Sequence, residues 1–91
     1  MPNRRKAILY VSRTCHWCGQ AESAAKRMKI KIKSLDGPDG RKLAMEKKIT
    51  YVPTLIVYEG GREIRRCEGV PDGTSEKICE AFGQCIGSVK S

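Results

Sequence analysis

The chain has 91 residues, a formal net charge of +8 and an apolar content of 40%, which suits one compact core with no room for a second. No apolar run approaches the ~18 residues of a membrane span, so no membrane partner is expected. The positive charge comes without an aromatic ladder, a zinc-finger spacing or a glycine–basic repeat, so nucleic acid is not an expected partner either. Solvated faces, or steering toward acidic partners, are its remaining uses.

The N-terminal stretch Met1-Pro2-Asn3-Arg4-Arg5-Lys6 is basic, and the apolar run behind it, Ala7–Val11, is about five residues. That is shorter than the ~7–15 of a signal-peptide core, so the segment reads as a first strand and a cytoplasmic location is expected. Being apolar throughout, it suits a central strand covered on both faces. From Cys18 the apolar set Cys18, Ala21, Ala25 and Met28 recurs at three and four, the period of a short amphipathic helix. Residues 28–34, Met-Lys-Ile-Lys-Ile-Lys-Ser, alternate with lysines on one face, which suits a charged edge strand.

Asp36-Gly37-Pro38-Asp39-Gly40 is a dense turn signal, with Asp39 placed to cap a short helix over Arg41–Ile49. Thr54–Tyr58 forms a second continuous apolar strand. Glu59-Gly60-Gly61-Arg62 predicts a hairpin turn, and Glu63–Cys67 a return strand with one polar face. Pro71-Asp72-Gly73-Thr74 introduces the last helix, with Ile78, Phe82, Cys85, Ile86 and Val89 on one stripe. The predicted order is βαβαββα, one α/β domain over residues 1–91, with the two apolar strands inside and the two half-polar strands at the edges.

The chemistry concentrates in Cys15-His16-Trp17-Cys18, between the first strand and the first helix. A sulfur at a helix N-terminus feels the unpaired N–H groups there, a field that favours the thiolate. The second sulfur, one turn on, is close enough to close a small disulfide ring. C-x-x-C also serves as half of many zinc sites. No second C-x-x-C or C-x-x-H exists in the chain to complete four ligands, and thiol–disulfide chemistry is therefore preferred.

The strand–C-x-x-C–helix unit and Tyr51-Val52-Pro53-Thr54, leading into a hairpin and a final helix, resemble the thioredoxin/glutaredoxin superfamily over nearly the whole chain. The resemblance implies a thioredoxin-like fold, a four-stranded mixed sheet in order 2-1-3-4, in agreement with the central and edge assignments. It also implies an enzyme, a protein-disulfide reductase with Cys15 as nucleophile and Cys18 as resolving thiol. Pro53 is then expected to be cis, with the backbone of Val52 available to an extended substrate segment and Gly69 closing the return strand beside it. The long hairpin is thioredoxin-like, whereas the length, Thr14 and Trp17 are glutaredoxin-like. Arg13 lies one place from the basic residue that glutaredoxins use for glutathione, and the Gly-Gly-acidic signature that holds glutathione is absent after Cys67. Leu9 stands where thioredoxins carry a buried Asp.

The resemblance implies disulfide-containing protein substrates and a monomer. The electron source would be a thioredoxin-reductase-like donor or glutathione, with no cofactor beyond the Cys15–Cys18 disulfide. His16, the only histidine, either stabilises the Cys15 thiolate or faces water; Trp17 either docks substrate or packs as a lid. The competing class is a non-enzymatic zinc or iron–sulfur carrier, with two C-x-x-C motifs meeting across a dimer. Five cysteines form an odd set, which leaves at least one unpaired and fits a reducing compartment. Cys79 and Cys85 are six apart, ~9 Å along a helix, too far to join each other. Both are expected to be small buried hydrophobes, and Cys67 an edge-strand residue available as an accessory thiol.

Overall fold

Two central strands run apolar on both faces because helices cover them from both sides. The computed structural model describes residues 5–13, 15, 18–69 and 75–87. Its elements are β1 (Arg5–Val11), α1 (Cys18–Arg27), β2 (Lys31–Ser34), α2 (Gly37–Lys47), β3 (Thr54–Glu59), β4 (Arg62–Glu68) and α3 (Ser75–Gly87). The sheet order is β2-β1-β3-β4, with β1 and β2 parallel and the other pairs antiparallel. This is the expected thioredoxin-like topology. Val89 and the turn Pro71–Thr74 lie outside the described residues.

Period-2 geometry sorts the strand residues onto two faces. Leu9, Val11, Leu55 and Val57 point into one core with Ala21, Ala24 and Ala25 of α1 and Ile78, Phe82 and Cys85 of α3. Tyr10, Ile56 and Ile49 form the other core, to which Leu43 and Ala44 of α2 add partly buried carbon. On β2, Lys31 and Lys33 are exposed and Ile32 is half-buried, the pattern of a charged edge.

The alternation over residues 28–34 overstates β2, because the end of α1 claims its first three residues. Lys29 adopts a left-handed φ of 59°, the Lys29 N–H donates to Lys26 O (3.2 Å), and the Ile30 N–H reaches back to Ala25 O (2.8 Å). This pair of bonds is a Schellman cap, with Ile30 buried as its apolar residue. The end of α2 repeats it: Lys48 has φ 55°, and the Ile49 N–H donates to Ala44 O at 2.8 Å. At both sites a lysine takes the position usually given to glycine, so burial of the following isoleucine outweighs a left-handed penalty of roughly 1–2 kcal/mol.

The second helix also begins four residues before the expected Arg41. Asp36, not Asp39, holds the N-cap position, and its side chain makes no capping bond. The glycine-proline pair therefore belongs to the first helical turn. Gly40 is the buried residue of α2, and a Cβ there would collide with the backbone of Leu35. Only glycine lets this helix approach the end of β2 so closely.

Two cysteines also depart from expectation. Cys85 is buried in the core as expected, but it is not unpaired: it forms a disulfide between α3 and β4 with Cys67, which is therefore not an available thiol, with Cα atoms 6.4 Å apart. Cys79 is the one cysteine outside a disulfide, half-buried with its thiol toward Ala24 O at 3.6 Å. The odd count thus hides two pairs and does not by itself favour a reducing compartment.

Candidate functional site

The parallel pairing of β1 with β2 sends the loops that follow both strands to the same end of the sheet, where Val11 lies opposite Ser34. Antiparallel pairing brings the start of β3 to that end as well, with Tyr10 opposite Thr54 and Thr54 opposite Glu68. Four chain segments therefore meet there: Ser12–Arg13 with Cys15 and Cys18, Leu35–Asp36, 51–54 and 67–69.

Cys15 and Cys18 form a disulfide at the head of α1, with Cα atoms 5.3 Å apart. A tight turn precedes it, in which the Cys15 N–H donates to Ser12 O at 3.1 Å. Burial separates the two sulfur-bearing residues: Cys18 is 1% exposed, whereas Cys15 is half-buried at the edge of the core. Reagents from solution thus meet Cys15 first. As the first residue of α1, Cys18 stands where unpaired helical N–H groups favour negative charge on a nearby sulfur.

The Val52–Pro53 peptide bond is cis, as expected. Val52 packs against the same core as Cys15. Pro53 O accepts from the Gly69 N–H at 2.8 Å, which extends the β3–β4 ladder past Glu68. Gly69 has φ +76°, a conformation natural to glycine. The Thr54 hydroxyl, fully buried, donates to Tyr51 O and fixes the turn before the strand. Val52, Pro53 and Gly69 are thus brought to the Cys15 end of the sheet. Thr14, His16 and Trp17 lie outside the described residues.

Asp36 is a site residue that sequence reasoning missed. Its carboxylate accepts from the Ser12 hydroxyl (3.1 Å), the Ser34 hydroxyl (2.7 Å) and the Arg13 backbone N–H (3.0 Å). The Ser34 hydroxyl first, with the Arg13 N–H and the Ser12 hydroxyl, holds the Asp36 carboxyl below the usual carboxylate range. One carboxylate therefore ties the loop before Cys15 to the end of β2. The Arg13 side chain is exposed, and its charge also favours ionised Asp36. A signal was present: in the order 2-1-3-4, residues two places beyond β1 and β2 are neighbours, which pairs Ser12–Arg13 with Asp36.

Comparison with known proteins adds the fold's relatives. No protein-family model and no curated protein sequence matches the chain. Among solved structures it is similar to a mutant thioredoxin of Halobacterium salinarum, at 16% identity and a TM-score of 0.68, covering 97% of this chain and 80% of that one. It is similar to mitochondrial thioredoxin 3 of Saccharomyces cerevisiae in the oxidised form, at 15% identity and a TM-score of 0.68, covering 96% and 80%. Plasmodium falciparum thioredoxin gives 20% identity and a TM-score of 0.66, over 97% and 84%. The fold is thioredoxin-like.

Proposed function

We propose that this thioredoxin-fold chain is a thiol–disulfide oxidoreductase that reduces protein disulfides through Cys15 and Cys18. The observation that carries the proposal is the asymmetric pair at the head of α1, one cysteine reachable and the other enclosed. In the reduced state the Cys15 thiolate attacks one sulfur of a substrate disulfide, forming a mixed disulfide and releasing the other substrate sulfur as a thiolate, which takes up a proton. Cys18, deprotonated, then attacks Cys15 Sγ, closes the Cys15–Cys18 disulfide and expels the second substrate thiolate. Two electrons and two protons pass to the substrate, and the protein is left oxidised.

The surrounding residues supply the geometry. The Val52 backbone before Pro53 offers an edge to an extended substrate segment, and Gly69, whose left-handed φ suits glycine, ends the return strand beside it. His16, adjacent to the nucleophile in sequence, stabilises the thiolate when protonated; Trp17 is proposed as the aromatic that docks apolar substrate groups, and Thr14 and Arg13, which precede Cys15 in sequence, as further substrate contacts. The electron donor is proposed to be a protein reductase in preference to glutathione, because the Gly-Gly-acidic glutathione signature is missing after Cys67.

Reduction of insulin disulfides by the purified protein tests the activity. Cys15→Ser is expected to fall to the rate of the uncatalysed thiol reaction, and wild-type turnover no faster than that of Cys15→Ser would overturn the proposal. A coupled assay with a flavin-linked reductase or with glutathione and its reductase separates the donors. Robust turnover with glutathione alone would reverse the donor assignment.

A further inference from the structure

The two disulfides stand in opposite chemical settings. Cys15–Cys18 spans three residues at the start of a helix. Cys67–Cys85 spans 18 residues and links an edge strand to the last turn of α3.

Thiol–disulfide exchange needs an open line to one sulfur and a stable thiolate at the other. At the second pair, Cys85 is 3% exposed and belongs to the same core as Leu9, Leu55 and Phe82. An attacking thiolate can reach only half-buried Cys67, so the departing thiolate is Cys85. That anion would form among apolar side chains, which disfavour charge. It would also lie near the C-terminal end of α3, where the helix dipole opposes negative charge. At the first pair the departing sulfur, Cys18, is also buried, but it lies at a helix N-terminus, where the same dipole favours the anion.

Re-closure differs as well. Cys67 is held by pairing opposite Leu55, and Cys85 by a helix that seats Ile78 and Phe82 in the core. Two independent frameworks thus keep the reduced sulfurs near each other, a high effective concentration for closing the bond again.

We propose that Cys67–Cys85 is a standing disulfide, retained while Cys15–Cys18 is reduced and reoxidised, and that it braces the strand end carrying Gly69 beside Pro53. In one reduction step an external dithiol closes to its own disulfide and Cys15–Cys18 opens to two thiols. The protein then takes up two electrons, not four. This goes beyond the proposed oxidoreductase activity and holds whether or not Cys15 turns over a protein substrate.

The test equilibrates oxidised wild-type protein with graded ratios of reduced to oxidised dithiothreitol, quenches with acid, alkylates in denaturant and maps the labelled cysteines by mass spectrometry. Cys79 is expected to label at every ratio. Cys15 and Cys18 are expected to label together, and Cys67 and Cys85 only at a ratio at least about tenfold higher. Labelling of Cys67 and Cys85 at the same ratio as Cys15 and Cys18, or a lower one, overturns the proposal.

A Cys67→Ala/Cys85→Ala double variant reads the brace. Its thermal midpoint is expected to fall by roughly 10 °C or more, with the Cys15–Cys18 labelling midpoint unchanged. An unchanged thermal midpoint removes the brace. In the wild type, reduction past the Cys67–Cys85 labelling step should lower the thermal midpoint below that of protein reduced only at Cys15–Cys18, which keeps the question decidable if the double variant does not fold, and equal midpoints for the two states would overturn the brace.

Discussion

The two faces of the sheet are held by different physics. Under α1 and α3 the packing is close and apolar: Leu9, Leu55, Val57, Ala21, Ala24, Ala25 and Ile78 are fully buried, and a disulfide joins β4 to α3. Under α2 few residues are fully buried, and Met45 on that helix is 79% exposed. Polar pins hold it instead. Arg66 of β4 donates to Lys47 O (2.6 Å) and Lys48 O (2.8 Å) at the C-terminus of α2 and forms a two-pronged pair with Glu63 (2.9 Å). The Tyr10 and Tyr58 hydroxyls meet at 2.9 Å, and burial, then the bond to Tyr58, pushes the Tyr10 phenol above its ordinary range, so it stays neutral. The first face supplies most of the cohesion. The second positions a helix and, through Asp36, the loop that leads to Cys15.

The largest expected effect lies on the apolar face. Phe82, the only phenylalanine in the chain and 2% exposed, fills the junction of α3 with the sheet. Phe82→Ala should cost about 3–5 kcal/mol in urea unfolding of the oxidised protein. That is a large share of the roughly 5–15 kcal/mol typical of a folded protein. A loss below about 1 kcal/mol would mean that the two faces contribute comparably.

Next comes the polar pin. Arg66 satisfies two carbonyls at the end of α2 that have no helical partner. Arg66→Ala should cost about 1–2 kcal/mol in the same unfolding measurement, less than Phe82→Ala because water can reach the freed carbonyls. Arg66→Lys should recover only part of this, since an ammonium cannot reproduce the guanidinium fork toward Glu63 and both carbonyls. Full recovery by lysine would show that charge alone holds the helix.

The difference between the faces also explains what is legible in the sequence. Continuous apolar runs in β1 and β3, and the helical stripe Ile78–Phe82–Cys85, report burial directly, and the order βαβαββα follows from them. The C-x-x-C pair is local, so spacing alone brings its sulfurs together. Cys67–Cys85 depends on how a helix crosses an edge strand, which no periodicity encodes, so a reading that treats both residues as unpaired misses it. The end of α1 is ambiguous because Met28–Ile30 satisfies two patterns at once, and burial of Ile30 decides for the helix cap. Asp36 looks like part of a turn because its partners, Ser12 and Arg13, are more than twenty residues away in sequence and adjacent only across the parallel strand pair.

That carboxylate sets the smallest and most specific expectation. Ionised Asp36 accepts from Ser12, Ser34 and the Arg13 N–H, and these donors hold its folded pKa below the ~3.9 of an unfolded chain. A depressed pKa means that ionised Asp36 favours the folded state. The contribution is fully present above about pH 4 and is lost as pH falls through the folded value. Nuclear magnetic resonance titration should therefore place the Asp36 midpoint below that of an ordinary aspartate, with the Arg13 amide proton shifting in step. At neutral pH neither signal should move on this account. In Asp36→Asn the acid-linked shift of the Arg13 amide should vanish and that amide should exchange faster with solvent, while the unfolding free energy changes less than in Arg66→Ala. An Asp36 midpoint at or above the ordinary value, or an Arg13 amide indifferent to it, would detach the Cys15 loop from β2 and leave that loop to be positioned by the apolar face alone.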